Sequence, residues 1–364
     1  MQGFVNQKSF FSNGGKAINA DKRNSQIIDQ YSFGFNPSRI NVGSIGYYER
    51  VEKGLIGPSY FVFKTKDFVN NHFLYTWFKS KKFNKIVELN KQGSVRENFN
   101  IDDLLQITFL MPSKLEQNII AEIFNTINAY LSLLQRKLDK LKNIKETLLE
   151  KMFVSQNQEI PSIRFKEFTD VWKRWSVGDL FDSVGGSSLE KEFNKYGKYY
   201  VINIGNYSEE FVYRDQGIRI DLNKKTKEFL LNKGDLAMIM NDKTSEGKII
   251  GSCLYIGENN KFIYNQRTQR LIPKTEIIDN EFSYILLNNF VNRKKVINES
   301  QGNTQIYINW SNVINIIHNI PLNKTEQKLI FNFFNNINSY LSLLQRKLDK
   351  LKNIKETLLE KMFV

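Results

Sequence analysis

The stretch YLSLLQRKLDKLKNIKETLLEKMFV occurs at Tyr130–Val154 and again, unchanged, at Tyr340–Val364. An exact repeat of 25 residues, 210 positions apart, restricts the chain to folds that hold the same element twice. The likeness also extends upstream. At the same separation Lys114, Glu116, Gln117, Ile120, Ile127 and Asn128 fall on Lys324, Glu326, Gln327, Ile330, Ile337 and Asn338. At a separation of 209, Gln92–Gly93 meets Gln301–Gly302, Asn100 meets Asn309, and Pro112 meets Pro321. The chain therefore reads as a tandem duplication with one residue gained in the second copy.

Each copy announces a helix. Ser113 with Glu116, and Asn323 with Glu326, have the spacing of a capping box, in which cap and glutamate satisfy each other's backbone amides. Apolar residues then follow in steps of four and three: Ile120, Phe124, Ile127, Leu131, Leu134, Leu138, Leu141, Leu148 and Met152, with Lys145 in the one gap. The second copy has Ile330, Phe334, Ile337, Leu341, Leu344, Leu348, Leu351, Leu358 and Met362, with Lys355 in the same gap. This is a heptad seam. At 1.5 Å per residue each seam runs about 50 Å, so the natural partner of one is the other. Packing accounts for the leucines but not for the unchanged outward positions Gln135, Lys142, Asn143 and Thr147. Recent gene conversion explains those, and so does a partner that docks alike on both copies.

The sequences before the helices have drifted apart. Runs such as KYYVINIG, FLLNKGDLAMIM and KIIGSCLYIG, broken by Gly and Asn, read as short strands, and Asn71–Leu89 reads as helical. The expected class is α+β, with two variable bodies alternating with two long helices that pair as an antiparallel coiled coil. The expected division is 1–112 for the first body, 113–154 for the first helix, 155–321 for a polar connector and the second body, and 322–364 for the second helix. QIIDQYSFGFNPSR in the first body aligns loosely with FLLNKGDLAMIMND in the second. The second body has a stretch from roughly Phe168 to Gly217 with no counterpart in the first, so the first body reads as starting late.

A formal charge of +14 over 364 residues points to a phosphate-rich partner, although solvated basic surface would produce the same total. The single Cys253 excludes an internal disulfide and a cysteine-based zinc site. The N-terminus lacks an apolar signal core and no stretch is long and apolar enough to span a membrane, so a cytoplasmic location is expected.

Catalytic motifs are missing. The chain has no HExxH, GxSxG or GxxxxGK[ST] pattern, and its two histidines, His72 and His318, lie in non-equivalent parts of the repeat, which suits structural roles. Asn36–Arg39, NPSR, has the start of an adenine methyltransferase loop but not the second proline and aromatic that would hold a base. Binding residues are easier to find. Asn36, Arg39 and Asn41 lie in a glycine-containing segment, and Asn265, Gln266, Arg267 and Arg270 lie together in YNQRTQR. Arg reads guanine and Asn or Gln reads adenine through paired hydrogen bonds, and Lys and Arg also neutralise phosphate. Lys22, Arg23, Gln92, Lys243 and Gln301 are further candidates.

Three features together resemble the specificity subunit of a type I restriction-modification system: the helices at Glu116–Val154 and Glu326–Val364, the lead-in IRFKEFTDVWKRWSVGDLF at Ile163–Phe181, and NPSRINVGSIGYY in the first body. The resemblance spans nearly the whole chain. It implies two target-recognition domains that each read half of a bipartite site in double-stranded DNA, with the helices as ruler. It also implies two docked methyltransferase (modification) subunits, to which restriction subunits add. S-adenosylmethionine, ATP and magnesium would belong to those other subunits, so this chain is expected to be non-catalytic and to need no cofactor. The counterpart of Ile163–Phe181 ahead of the first body is missing, which marks that domain as shortened. Three other readings stay open: a coiled-coil scaffold that reads no sequence, a truncated and non-productive specificity protein, and a stand-alone DNA-modifying enzyme.

Overall fold

The computed structural model describes residues 4–12, 22–42, 44–90, 99, 101–154, 158–243 and 246–363. The chain divides into two compact units, Met1–Lys137 with Leu344–Val364, and Leu138–Leu343. The repeated segments are long helices, Lys114–Lys151 and Lys324–Met362.

The first unit is built on an antiparallel sheet in which Ser32–Phe35 lies between Ile45–Tyr48 and Phe61–Phe63. Helices Asn71–Trp77 and Lys81–Asn90 follow, separated by a break at which Ser80 Oγ accepts the Phe83 amide. The core joins Phe33, Phe35, Phe73, Trp77 and Phe83 to Ile120, Ala121 and Phe124 from the start of the first long helix, and to Leu359 and Phe363 from the end of the second.

The second unit repeats this plan. Leu236–Ile239 lies between Cys253–Tyr255 and Thr268–Pro273, with Phe181–Gly185 added at the outer edge. The registers correspond: Phe33 faces Phe63, and Leu236 faces Leu271. At the turn entering the central strand, Tyr31 (φ 63°) stands where the second copy has Gly234 (φ 95°). Both backbones are left-handed there, a conformation that costs a tyrosine and suits a glycine. Helices Asn280–Asn288 and Phe290–Asn298 take the place of the pair in the first unit. A second sheet, in which Tyr199–Ile202 lies between Phe262–Tyr264 and Arg219–Ile220, is larger than the two-stranded sheet of Gln26–Ile28 with Gly54–Ile56 in the first unit.

In this unit the end of the first long helix (Leu148, Leu149, Met152, Phe153) packs with the start of the second (Ile330, Phe334, Ile337). Start meets end in both units, so the helices pair antiparallel. Phe363 contacts Phe73 and Phe124, and Phe153 contacts the equivalent Phe282 and Phe334. Each helix therefore ends in the core of the other copy's body, which explains why the repeated sequence runs through Met-Phe. Along the seam, Leu134, Leu138, Leu344 and Leu348 are buried, while Ile127, Leu131, Leu141, Leu148, Ile337, Leu341, Leu351 and Leu358 are half-buried.

One expectation is corrected. Glu326, expected to reach back to its cap, instead receives Arg164 (2.7 and 2.9 Å) and the Trp172 indole N–H (3.3 Å). Asn323 caps alone, accepting the Thr325 amide. The described part of the polar connector packs into the second unit. Trp172 is fully buried, and Lys173–Ser176 pairs with Ile317–Ile320.

Candidate nucleic-acid interface

Two buried glutamines fasten the bodies to the helices. Gln117 accepts the Asn70 amide at 2.7 Å and donates to the carbonyls of Phe68 and Pro112. Gln327 accepts the Asp279 amide at 2.6 Å and donates to Ile277 and Pro321. All partners are equivalent between the copies. Asn70 and Asp279 are themselves the N-caps of the following helices, so each glutamine ties a long helix to a cap in its own body. Gln117 and Gln327 are 2 % and 0 % exposed, and in a dry site an unmet amide is costly, which gives these bonds their weight.

The segment Tyr264–Arg270 divides by burial. Asn265 is buried; its Oδ1 accepts the Leu189 amide, and its Nδ2 donates to Glu190 at 2.8 Å. Gln266 donates to the same carboxylate at 2.7 Å. Hydrogen bonds from Ser188, first, and Asn265 hold the Glu190 carboxyl down at about 2, so it stays ionised as the hub of the loop. Gly186 must be glycine because a Cβ there would lie 2.1 Å from the Asn265 carbonyl oxygen. Arg270 forms a buried ion pair with Asp235 at 2.8 Å. Arg267 is exposed at the tip in a left-handed backbone (φ 64°), with its carbonyl anchored by the Met240 amide. Asn265 and Arg270 thus support the loop, and Arg267 is the side chain that the loop presents.

In the first unit Asn36 is buried and accepts the Ser38 amide, whereas Arg39 is exposed at a kink within Pro37–Val42. The side chain of Asn41, and all of Gln92, lie outside the described residues. Lys22, Arg23 and Lys243 are exposed. Gln301 exchanges backbone hydrogen bonds with Tyr307 and accepts its hydroxyl at 3.3 Å.

Sequence reasoning missed a cationic aromatic face in the second unit. The Arg219 guanidinium lies 4.0 Å from the Tyr200 ring centre, Lys261 stands 6.0 Å from the same ring, and Tyr213 and Phe262 pack beside it. Asp215 fixes Arg219 through two hydrogen bonds of 2.8 and 2.6 Å. Arginine held over an aromatic is a recurrent surface for stacking or phosphate contact. The signal was present as KYY and YRDQGIRI, but the residues come together only through strand pairing.

His318 and Cys253 are both buried. Burial, with Lys295 nearby, lowers His318 to about 3, and burial raises the Cys253 thiol far above its usual range. Among the described residues no three metal-binding side chains are gathered, and no helix is long and apolar enough to cross a membrane.

The decisive comparison is with protein families: residues 3–143 and 169–353 match the type I restriction modification DNA specificity domain. The chain belongs to that family. As a type I specificity subunit it is 22% identical over 318 residues to the MjaVIII specificity subunit of Methanocaldococcus jannaschii, covering 85% of this chain and 73% of the relative. It is 26% identical over 163 residues to the HindI specificity subunit of Haemophilus influenzae, covering 44% of this chain and 34% of that one. The type I restriction-modification system S subunit from M. genitalium has a similar fold, with TM-score 0.62, 16% identity, and coverage of 92% of this chain and 83% of that chain. A chain from a structural study of assembly and conformational transition in the type I R-M system matches with TM-score 0.58, 14% identity, and coverage of 95% and 84%.

Proposed function

We propose that this specificity subunit is a non-catalytic reader and scaffold. Each of two target-recognition domains, 1–112 and 155–321, reads one half of a bipartite DNA site, and the helices 113–154 and 322–364 set the gap. Two methyltransferase subunits dock on the repeated helices, restriction subunits join them, and the assembly works in the cytoplasm. S-adenosylmethionine, ATP and magnesium are bound by those partners. The observation that carries this reading is the repeated glutamine fastening, by which two diverged bodies are held through equivalent bonds to helices that share an identical 25-residue stretch. A fixed scaffold with two variable readers is what a bipartite target requires, because linked readers add their discrimination at about 1–3 kcal/mol per base pair.

Within the second body, Arg267 and the Tyr200–Arg219 face are the proposed contacts, and Arg39 is the proposed contact in the first. Lys22, Arg23 and Lys243 supply phosphate contacts. The test is co-expression with the cognate methyltransferase subunit in a methylation-free host, followed by mapping of modified adenines. A bipartite motif with a constant gap, lost when this chain is omitted, is the expected result. Modification at one half-site only would assign reading to the second body alone. No modification would favour the non-productive reading.

A further inference from the structure

The second body holds a polar cleft of about 630 Å³ between the connector, helix Phe290–Asn298 and the strand Ile317–Ile320. Its walls are set by the fold. The strand Lys173–Ser176 pairs with Ile317–Ile320 so that Arg174 lies directly opposite Asn319, and directly opposed residues present their side chains on one face. The Trp172 amide donates to the Glu159 carbonyl, which holds Glu159 at the cleft, and the Trp172 side chain forms part of the wall. Lys295 reaches in from the helix and donates to the Ile317 carbonyl at 2.8 Å, which leaves its ammonium two further donors.

Two cations meet here without an anion. Among the described residues neither Arg174 nor Lys295 has a carboxylate partner, and burial, with Arg174 nearby, lowers the Lys295 ammonium. A bound anion relieves such a pair. Asn298, Asn312 and Asn319 line the same cleft, and among the described residues their side chains make no hydrogen bond. The carboxylates of Glu159 and Glu299 line it too, and carboxylates are acceptors for the hydroxyls of a sugar. The shared fold does not impose this lining: the equivalents of Lys295, Asn298 and Asn319 in the first copy are the apolar Ile86, Leu89 and Leu110. We propose that the cleft binds a ribose phosphate, with the phosphate on Arg174 and Lys295, the hydroxyls on Glu159 and Glu299, and the asparagine amides completing its hydrogen bonds. A mononucleotide and a free sugar phosphate share that group, and about 630 Å³ holds either.

This assignment does not rest on the reading of DNA, and its test uses the full chain with ribose 5-phosphate and adenosine monophosphate as probes in isothermal titration. Saturable one-to-one binding of at least one probe is expected, tighter than that of inorganic phosphate or of adenosine. The tighter probe identifies the source, nucleotide or free sugar phosphate, and either supports the proposal. Arg174→Ala and Lys295→Met should each weaken binding at least about tenfold, the loss of one charge-assisted contact. Asn298 is exposed, so Asn298→Leu, which installs the first copy's residue, should fold normally by circular dichroism and still weaken binding. No saturable binding of either probe, undiminished binding to Arg174→Ala and Asn298→Leu, or inorganic phosphate bound as tightly as the probes would each overturn the proposal. Displacement of the bound probe by duplex DNA would assign the two cations to the DNA backbone and overturn it equally.

Discussion

Gln117 accepts the backbone amide of Asn70 at 2.7 Å, and through that bond the first long helix is tied to the cap of a helix 47 residues earlier. Gln327 does the same with Asp279. Truncation of either glutamine leaves one buried amide and two carbonyls unmet. Gln117→Ala and Gln327→Ala should each cost about 3 kcal/mol at an expected 1–3 per stranded group, measured by urea denaturation. Replacement by Glu should fare no better, since an ionised carboxylate cannot donate to the Pro112 or Pro321 carbonyl.

Phe153 and Phe363 occupy equivalent places, but Phe153 also meets Trp172, which lies in the lead-in segment. Truncation to Ala should destabilise by about 3–5 kcal/mol, with Phe153→Ala at the high end. Equal losses in thermal unfolding would show that the Trp172 contact contributes nothing.

Arg164 and Glu326 form a buried pair with side-chain exposures of 9% and 1%. Arg164→Met strands a carboxylate and should cost about 3–5 kcal/mol, whereas Arg164→Met with Glu326→Gln should recover much of the loss. A double-mutant cycle in guanidinium measures the coupling.

His318 is buried and neutral, with its pKa lowered to about 3 from the ordinary 6.5. The unfolded chain therefore binds a proton that the folded chain refuses between these values, and stability falls as pH drops from about 6.5 towards 3. The equivalent residue in the first copy is Phe109, stacked on Trp77. His318→Phe should flatten that acid decline without a matching change above pH 7, read as melting temperature against pH.

Arg267 and Arg270 are three residues apart and should behave oppositely. Arg267→Ala should keep the fold and relax one position of one half-site, with a loss of about 1–3 kcal/mol of discrimination. Arg270→Ala should lower stability by leaving Asp235 buried without its cation. Motif mapping and thermal melts of the two variants separate reading from support.

The sequence by itself determined the duplication, the extent of both long helices, their seam and the α+β character of the bodies. These signals are local or periodic: caps, heptads and exact repetition need no knowledge of the fold. It also carried the family, because the lead-in and the helices keep their residue order. Only the tertiary structure decided that each helix ends in the other copy's body, that Asn265 and Arg270 are consumed inside the loop, and that Arg219 sits over Tyr200. Only there does the difference between Glu116 and Glu326 emerge, one exposed and one clamped by Arg164 from 162 residues away. Two glutamates that share the local pattern Lys-x-Glu-Gln have similar local propensities, and long-range packing sets them apart through burial and through which partner reaches them.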